Sequence, residues 1–398
     1  MNLHDNTFFR QVYLFLTHEC PLRCEYCYID RSKSFPDMKY STIQYFMDNV
    51  RSKFKGGRGL VFFGGEPLLR VDLIERTVKD YYEAIPGGIG GVVTSATINM
   101  DKFFPIYRDY ELDMQVSYDG MLHNKTRKSE FDFGSLMPYL ELSEKRFQLR
   151  KTVSDANIDT LYEDYLFGRK IHIEFDISFD YAVAHQASYS KYFHDKLFDK
   201  QTKIWNFINE CIEKDIRTYI PLTLIKDLYH IKEYIASDMP AGRLDSCEVG
   251  NILAIDTDGS CYPCTMLSQL GDEFKIGDIW SGIDISKNSS IREYSNCNCM
   301  YSNVCGGGCR WERYKIFGKN NMANSVNPEH CKTLHIKYTT AMNFWKNLND
   351  KHKPLIESAI RTYSVYQKLT FDQGRYHEAH SMAKEAVRNI DTSGLITF

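Results

Sequence analysis

The chain reads as an α/β protein: an open, partial (β/α)6 TIM-like barrel, followed by a small cysteine-rich domain and C-terminal helices. Three observations predict this. Short apolar runs alternate with amphipathic helical stretches through the first half, the pattern of a parallel sheet with helices outside. From about residue 240 the chain turns rich in Cys, Gly, Asn and Ser and loses long periodic runs. After Cys331 helical periodicity returns. Hydrophobic residues make up 43% of the 398, enough to bury a sizeable core.

In order, residues 11–17 read as a strand around the apolar run Val12-Tyr13-Leu14-Phe15-Leu16. Residues 41–54 read as a helix, with Ser41 as N-cap and Ile43, Phe46, Met47, Val50 and Phe54 on one face. Leu60-Val61-Phe62-Phe63 is a strand stopped by Gly64-Gly65, and a helix follows from about Asp72 to Ile85. Further strands are expected at 91–95, 113–117, 146–153 and 171–177, and a long helix between Tyr189 and Asp215. In parallel barrels the site lies at the C-terminal ends of the strands. Pro240-Ala241-Gly242 has the composition of a linker. The expected domains are therefore 1–239, the barrel; 240–335, the cysteine-rich segment, relying on ligation for order; and 336–398, a helical extension. Helices are expected at 333–350 and 355–369. The stretch from Gly374 to Ala386 resembles the second helix of a tetratricopeptide unit, but an ordinary terminal helical hairpin explains it better.

The formal net charge of −3 gives no electrostatic case for nucleic acid or an anionic membrane as partner. The first apolar run is too short for a signal peptide, and no stretch has the length of a membrane span. A cytoplasmic setting is expected, where thiols stay reduced. The twelve cysteines then point to ligation: three fall at 20–27, eight between 247 and 331, and Cys211 stands apart as a buried thiol within a helix.

Cys20-Pro-Leu-Arg-Cys24-Glu-Tyr26-Cys27 follows the first strand directly. Three thiolates in one tight loop can hold three irons of a [4Fe–4S] cube and leave the fourth iron open to a small molecule. A structural zinc site wants four protein ligands, and the next cysteine is far along the chain.

This Cys-x3-Cys-x2-Cys loop, with an aromatic before its last cysteine, resembles the signature of the radical S-adenosylmethionine (SAM) superfamily. The resemblance implies that the methionyl group of SAM chelates the open iron. One electron then cleaves SAM to a 5′-deoxyadenosyl radical, which abstracts a hydrogen atom from the substrate. It places Tyr26 near the adenine, simple loop packing being the bland alternative. Gly64-Gly65-Glu66-Pro67 is similar to the family's GGEP motif, whose backbone carbonyls and Glu66 would receive the methionyl ammonium. By itself the string is also explained as a Gly-Gly turn and a helix start. Ser117-Tyr118-Asp119-Gly120, with His123 and Arg127, resembles a stretch of peptide-modifying members and makes Ser117 and Arg127 cofactor contacts, Arg127 through the carboxylate. Thr94-Ser95-Ala96-Thr97 stands where the family has T-N-G-T; the Asn and Gly are missing, so no site is carried over.

The eight later cysteines match the ligand count of two fully coordinated [4Fe–4S] clusters. Cys299-x5-Cys305-Gly-Gly-Gly-Cys309, a later Cys331 and the Asp258-Gly259-Ser260-Cys261-Tyr262-Pro263-Cys264 hairpin resemble the SPASM domain of radical enzymes that modify peptides and proteins. Cys297-x-Cys299 departs from the usual Cys-x2-Cys. By analogy Cys247, Cys261, Cys264 and Cys309 hold one auxiliary cluster, or Cys261 stays idle and one iron is open. Cys297, Cys299, Cys305 and Cys331 hold the other. Two zinc sites are the alternative for this region taken alone.

A SPASM-type arrangement implies a peptide or protein substrate. Sulfatase-maturing members, which make formylglycine, typically carry an aspartate base where this chain has Thr265, and a neutral hydroxyl is no ready base. A maturase for a ribosomally synthesised peptide is therefore expected, forming a crosslink or thioether or epimerising a residue. The electron donor would be a flavodoxin or ferredoxin. With the first barrel strand starting near residue 11, no N-terminal leader-binding module is expected, so leader binding falls to the C-terminal helices, the barrel or a separate protein. A non-catalytic zinc-binding interaction protein is the alternative from another class.

Overall fold

The structure is a computed structural model. It describes residues 8–30, 35–51, 55–85, 88–142, 147–171, 176–181, 189–216, 218–232, 252–284, 286–287, 297, 299–305, 307–322, 325–367 and 396–397. The chain packs as two compact units. The first comprises 1–117, 128–147 and 248–293; the second comprises 118–127, 148–247 and 294–398.

The first unit is built on strand β1 (Phe8–Thr17). It lies between β2 (Lys55–Gly64) and a strand from the cysteine-rich segment, Ile252–Ile255, and is parallel to both. Leu14 pairs with Phe62 on one side and Ile255 on the other. A strand flanked on both sides and covered on both faces needs apolar residues without alternation. Val12, Leu14, Phe15 and Leu16 are accordingly all buried. Two more parallel strands follow β2 in register, β3 (Ile89–Thr94) and β4 (Asp113–Ser117). Beyond Ile252–Ile255 the sheet runs antiparallel through Ser260–Tyr262, Gly277–Asp278 and Gly282–Ile283. The hairpin that carries Cys261 and Cys264 thus extends the sheet that carries the N-terminal cysteine loop.

The second unit pairs β5 (Phe147–Val153) with β6 (Asp176–Tyr181) in parallel. Its helices are Leu161–Ile171, Phe193–Glu213, Leu222–His230, Pro328–Asn347 and Lys353–Gln367. Trp205 stacks on Phe344 at 4.4 Å between ring centroids. Asn327 caps the helix that opens with Pro328 by accepting from Glu329 N at 3.0 Å.

Several elements depart from the sequence reading. The helix expected over 41–54 is an α-helix, Tyr40–Tyr45, continued by a π-helical turn, Phe46–Val50; its cap residue is Lys39, without a side-chain bond, not Ser41. The strand expected at 171–177 is Asp176–Tyr181, because Ile171 closes a helix whose Leu161 and Tyr165 are buried. The helix Met100–Asp109 escaped notice because Pro105 breaks its pattern. Pro240-Ala241-Gly242 and the stretch from Gly374 to Ala386 lie outside the described residues. Among those described, no helix is long and apolar enough to cross a membrane.

Candidate functional site

The cysteine loop starts where β1 ends, as Glu19 N donates to Thr17 Oγ1 at 3.0 Å. Buried Leu22 anchors it, Cys27 N donates to Cys24 O at 3.2 Å, and Arg23 Nη1 donates to Cys20 O at 2.7 Å. Cys20, Cys24, Cys27 and Tyr26 are each half-buried. Before the loop, His18 Nε2 lies 2.6 Å from Asp256 Oδ1, both side chains buried, and its ring stacks on Phe15 and Phe35.

Gly64-Gly65-Glu66-Pro67 clamps this loop from β2. Gly65 N donates to Thr17 O and Glu66 N to Glu19 O, each at 2.8 Å. The approach is close enough that a Cβ on Gly64 (φ +134°) would lie 2.2 Å from Thr17 O, and one on Gly65 would lie 2.2 Å from Glu19 O. Only glycine fits. Glu66 caps the 3-10 turn Pro67–Arg70, accepting from Leu68 N at 3.1 Å. Its other contacts come from the end of β3: Thr94 Oγ1 at 2.6 Å, Ser95 N at 2.8 Å, and the Ser95 hydroxyl. A carboxylate offers about four acceptor positions, and here four donors take them. The side chain of Glu66 thus accepts hydrogen bonds from the 3-10 turn and from the end of β3. The turn-and-cap reading of this string is realised in full. Thr94 and Ser95, to which the sequence assigned nothing, are the residues that fix Glu66. Two hydroxyls closing a strand next to an acidic cap are the signal that marks them.

Ser117 ends β4 in the first unit, half-buried. In the second unit, Arg127 is buried and its Nη2 lies 3.0 Å from Asp119 Oδ1. Asp119 also accepts from Thr126 Oγ1 at 2.6 Å and Thr152 N at 3.2 Å. Lys151 Nζ donates to Asp119 O at 2.6 Å and pairs with Asp164 Oδ2 at 2.8 Å. A Cβ on Gly120 (φ +74°) would strike the Asp164 carboxylate at 2.1 Å. His123 Nδ1 accepts from Asp119 N at 3.3 Å, and burial, then the charge of Arg127, pushes its pKa down to about 4. The Ser-x-Asp-Gly … His … Arg stretch therefore closes an ion network in which Asp119 already balances the Arg127 charge. The expected contact between Arg127 and a cofactor carboxylate meets a guanidinium with its counter-ion in place.

The radical SAM superfamily profile matches residues 14–120, the span from β1 through the GGEP clamp to Gly120. Residues 14–120 form a radical SAM domain. The chain is also 30% identical over 118 residues to an uncharacterized protein of Methanocaldococcus jannaschii, a match covering 28% of this chain and 39% of that protein. It is 21% identical over 346 residues to PqqA peptide cyclase of Methylorubrum extorquens, covering 80% of this chain and 85% of the cyclase. Its fold resembles that of native anSMEcpe with bound AdoMet (TM-score 0.68, 18% identity, 85% of this chain and 99% of that one). It also resembles Streptococcus suis SuiB bound to the precursor peptide SuiA (TM-score 0.60, 12% identity, 81% and 76%).

Radical SAM proteins work with a [4Fe–4S] cluster and SAM, and the donors present fit such clusters. None of the eleven described cysteines is in a disulfide. In the second unit, Cys299 is hydrogen-bonded to Cys297 and packs against the small core of Tyr301, Val304, Cys305, Leu334 and Tyr338. Burial and the neighbouring Cys297 and Cys299 push the Cys331 thiol up to about 11. Thiols crowded so that they cannot ionise together are matched to a multivalent cationic centre, which reverses that penalty. Cys297 and Cys299 thus neighbour Cys331, and Cys299 packs against the core that contains Cys305. Cys309, half-buried, precedes the helix Arg310–Phe317 as its cap residue. Cys247 lies outside the described residues. Cys261 is fully buried in its strand, with Sγ turned to Gly259 O at 3.6 Å. Burial raises its pKa far above the usual thiol range, and its charged neighbours are Asp278, Lys275 and Asp258. Cys264 is half-buried, accepts from Met266 N at 3.4 Å and faces Tyr28.

Proposed function

We propose that this chain is a radical SAM maturase that modifies a ribosomally synthesised peptide. The observation that carries the reading is the three-cysteine loop at the C-terminal end of β1, held by backbone bonds from Gly65 and Glu66. When bound, the cluster and SAM supply one-electron chemistry that starts hydrogen abstraction. The chain's own part is to hold and orient. Cys20, Cys24 and Cys27 would ligate three irons. The Gly64-Gly65 backbone would seat the methionyl end beside them, and Tyr26 would pack at the adenine. The Thr94–Ser95–Glu66 bonds keep that backbone rigid, so the cofactor meets a preformed site.

One observation supports a peptide substrate: the peptide cyclase relative aligns over most of the chain. A formylglycine-forming activity is disfavoured because Thr265 offers a hydroxyl hydrogen-bonded to Tyr28 in place of an aspartate base.

Anaerobically reconstituted protein is expected to show a broad absorption near ~400 nm from Fe–S charge transfer. With dithionite and SAM it should release 5′-deoxyadenosine, and Cys24→Ala should abolish that release. Cys305→Ala should keep some release and stop peptide turnover, read by mass spectrometry of candidate peptides co-expressed with the enzyme. A colourless protein holding stoichiometric zinc would overturn the reading.

A further inference from the structure

The cysteine loop leaves the sheet at His18, and the chain beyond the loop returns to the same residue. The His18 ring stacks on Phe35, past the last cysteine, at 4.3 Å between centroids, and on Phe15, before the first, at 5.5 Å. Met38 N closes the same junction by donating to Leu16 O at 2.9 Å. The backbone is gripped here too, since a Cβ on Gly65 would lie 2.6 Å from His18 O. The edge of the ring meets a further segment. His18 Nε2 lies 2.6 Å from Asp256 Oδ1, the two side chains being 5% and 10% exposed. Asp256 follows the strand Ile252–Ile255, which pairs with β1. It also opens the turn into the next strand: its N–H donates to Ser260 O at 2.8 Å and its carbonyl accepts from Gly259 N at 2.9 Å. Cys261 and Cys264 follow that turn. After the last cysteine of the loop, Asp30 N donates to Gln269 Oε1 at 3.3 Å. The loop therefore leans on the 256–269 segment at both of its ends.

We propose that His18 and Asp256 are positioning residues that form a clasp: their bond holds the loop of Cys20, Cys24 and Cys27 closed before any cluster binds, and ties it to the segment of Cys261 and Cys264. A carboxylate only accepts, so the imidazole Nε2–H donates. Such a charge-assisted bond is stronger than a neutral one, and burial strengthens it further. Apolar packing is non-directional, so Phe15 and Phe35 bring the ring into place without fixing its rotation. The Asp256 carboxylate, set at the start of a hydrogen-bonded turn, fixes it. Ordering the loop costs conformational entropy for every residue in it. With the clasp that cost is met during folding, and the thiols are presented already arranged. The purpose of the clasp rests on the reading above that these three cysteines hold a cluster; the clasp itself is a property of the iron-free chain.

The test is alkylation of iron-free, thiol-reduced full-length protein with N-ethylmaleimide, the rate at each cysteine being read by mass spectrometry. In Asp256→Ala the rates at Cys20, Cys24 and Cys27 are expected to rise about tenfold, since losing a buried charge-assisted bond shifts the local opening equilibrium by at least that factor. Cys264 should accelerate with them, and Cys297 and Cys331 should keep their wild-type rates. Asp256→Asn retains a carbonyl acceptor for the Nε2–H and should restore the protection. His18→Phe keeps the ring stack and leaves intact the 2.7 Å bond from Thr257 N to Asp256 Oδ1, so it removes the clasp alone. It should raise the same rates, and the double variant should react no faster than Asp256→Ala. Unchanged loop rates in Asp256→Ala or His18→Phe, acceleration of the loop without Cys264, additive effects in the double variant, or no protection in Asp256→Asn would each overturn the proposal. So would acceleration at Cys297 and Cys331, which would make the pair a general stabiliser. Failure of the wild-type chain to bind iron would strike the functional reading and leave this result standing, since no iron enters the assay.

Discussion

Replacing Glu66 by glutamine tests whether its carboxylate serves the protein or a ligand. The side chain is 1% exposed and accepts from Leu68 N and Thr94 Oγ1 on one oxygen and from the Ser95 N–H and hydroxyl on the other. Glutamine preserves the shape but turns one oxygen into an NH2 group. Either hydroxyl can rotate to accept from that group; neither backbone N–H can. Whichever way the amide faces, one buried backbone N–H loses its acceptor. That costs about 1–3 kcal/mol. At a urea m-value of about 2 kcal/mol/M, the midpoint for the first unit should fall by roughly 0.5–1.5 M. Glu66→Ala strands both N–H groups and removes the cap of the 3-10 turn, for roughly 3–5 kcal/mol. The assay is anaerobic urea unfolding of the thiol-reduced protein followed by circular dichroism, with SAM binding measured in parallel. A glutamine variant that unfolds with wild type but binds SAM much more weakly would refute the argument, because the carboxylate's partner would then be the ligand.

Asp164→Ala should destabilise the second unit by roughly 3–5 kcal/mol, since it leaves the Lys151 ammonium buried without its 2.8 Å partner; urea unfolding reads it. Gly64→Ala should introduce about 1–3 kcal/mol of backbone strain and push β2 from the loop entry at Thr17 O, seen as less iron retained per chain after reconstitution. Glu312 is buried, accepts from Asn327 Nδ2 at 3.3 Å, and burial raises its pKa to about 7. Between its ordinary value and about 7 the folded state holds a proton that the unfolded state has lost, so stability falls as pH rises through that window, by roughly 3 kcal/mol in all. Glu312→Gln should therefore be more stable than wild type at pH 8 and equal to it at pH 4 in urea unfolding. His123 works in the opposite sense: its folded pKa of about 4 lies below the ordinary value, so its contribution is lost as pH falls from about 6.5 toward 4. His123→Asn should flatten that part of the profile.

Spacing and local chemistry were enough to expose the ligand loop, because three thiols within eight residues are close in any folded conformation. The same holds for the Gly64-Gly65 approach and for β1, whose unbroken apolar run announces a strand covered on both faces. Local pattern failed where a neighbour in space supplied the deciding term. A π-helical turn at Phe46–Val50 and a helix carrying Pro105 exist because packing overrides propensity. The bonds from Thr94 and Ser95 to Glu66 come from β3, which only the fold brings there. The pairing of Arg127 with Asp119 is likewise set by the fold. The pairing of Tyr28 with Thr265, over two hundred residues apart, left no trace along the chain. Sequence alone determined which donor atoms this protein has and which of them are neighbours by covalent distance. The tertiary structure decided which polar groups are already satisfied by one another, since hydrogen bonds and ion pairs between distant segments depend on where the sheet places them, and that placement is set by burial of the core.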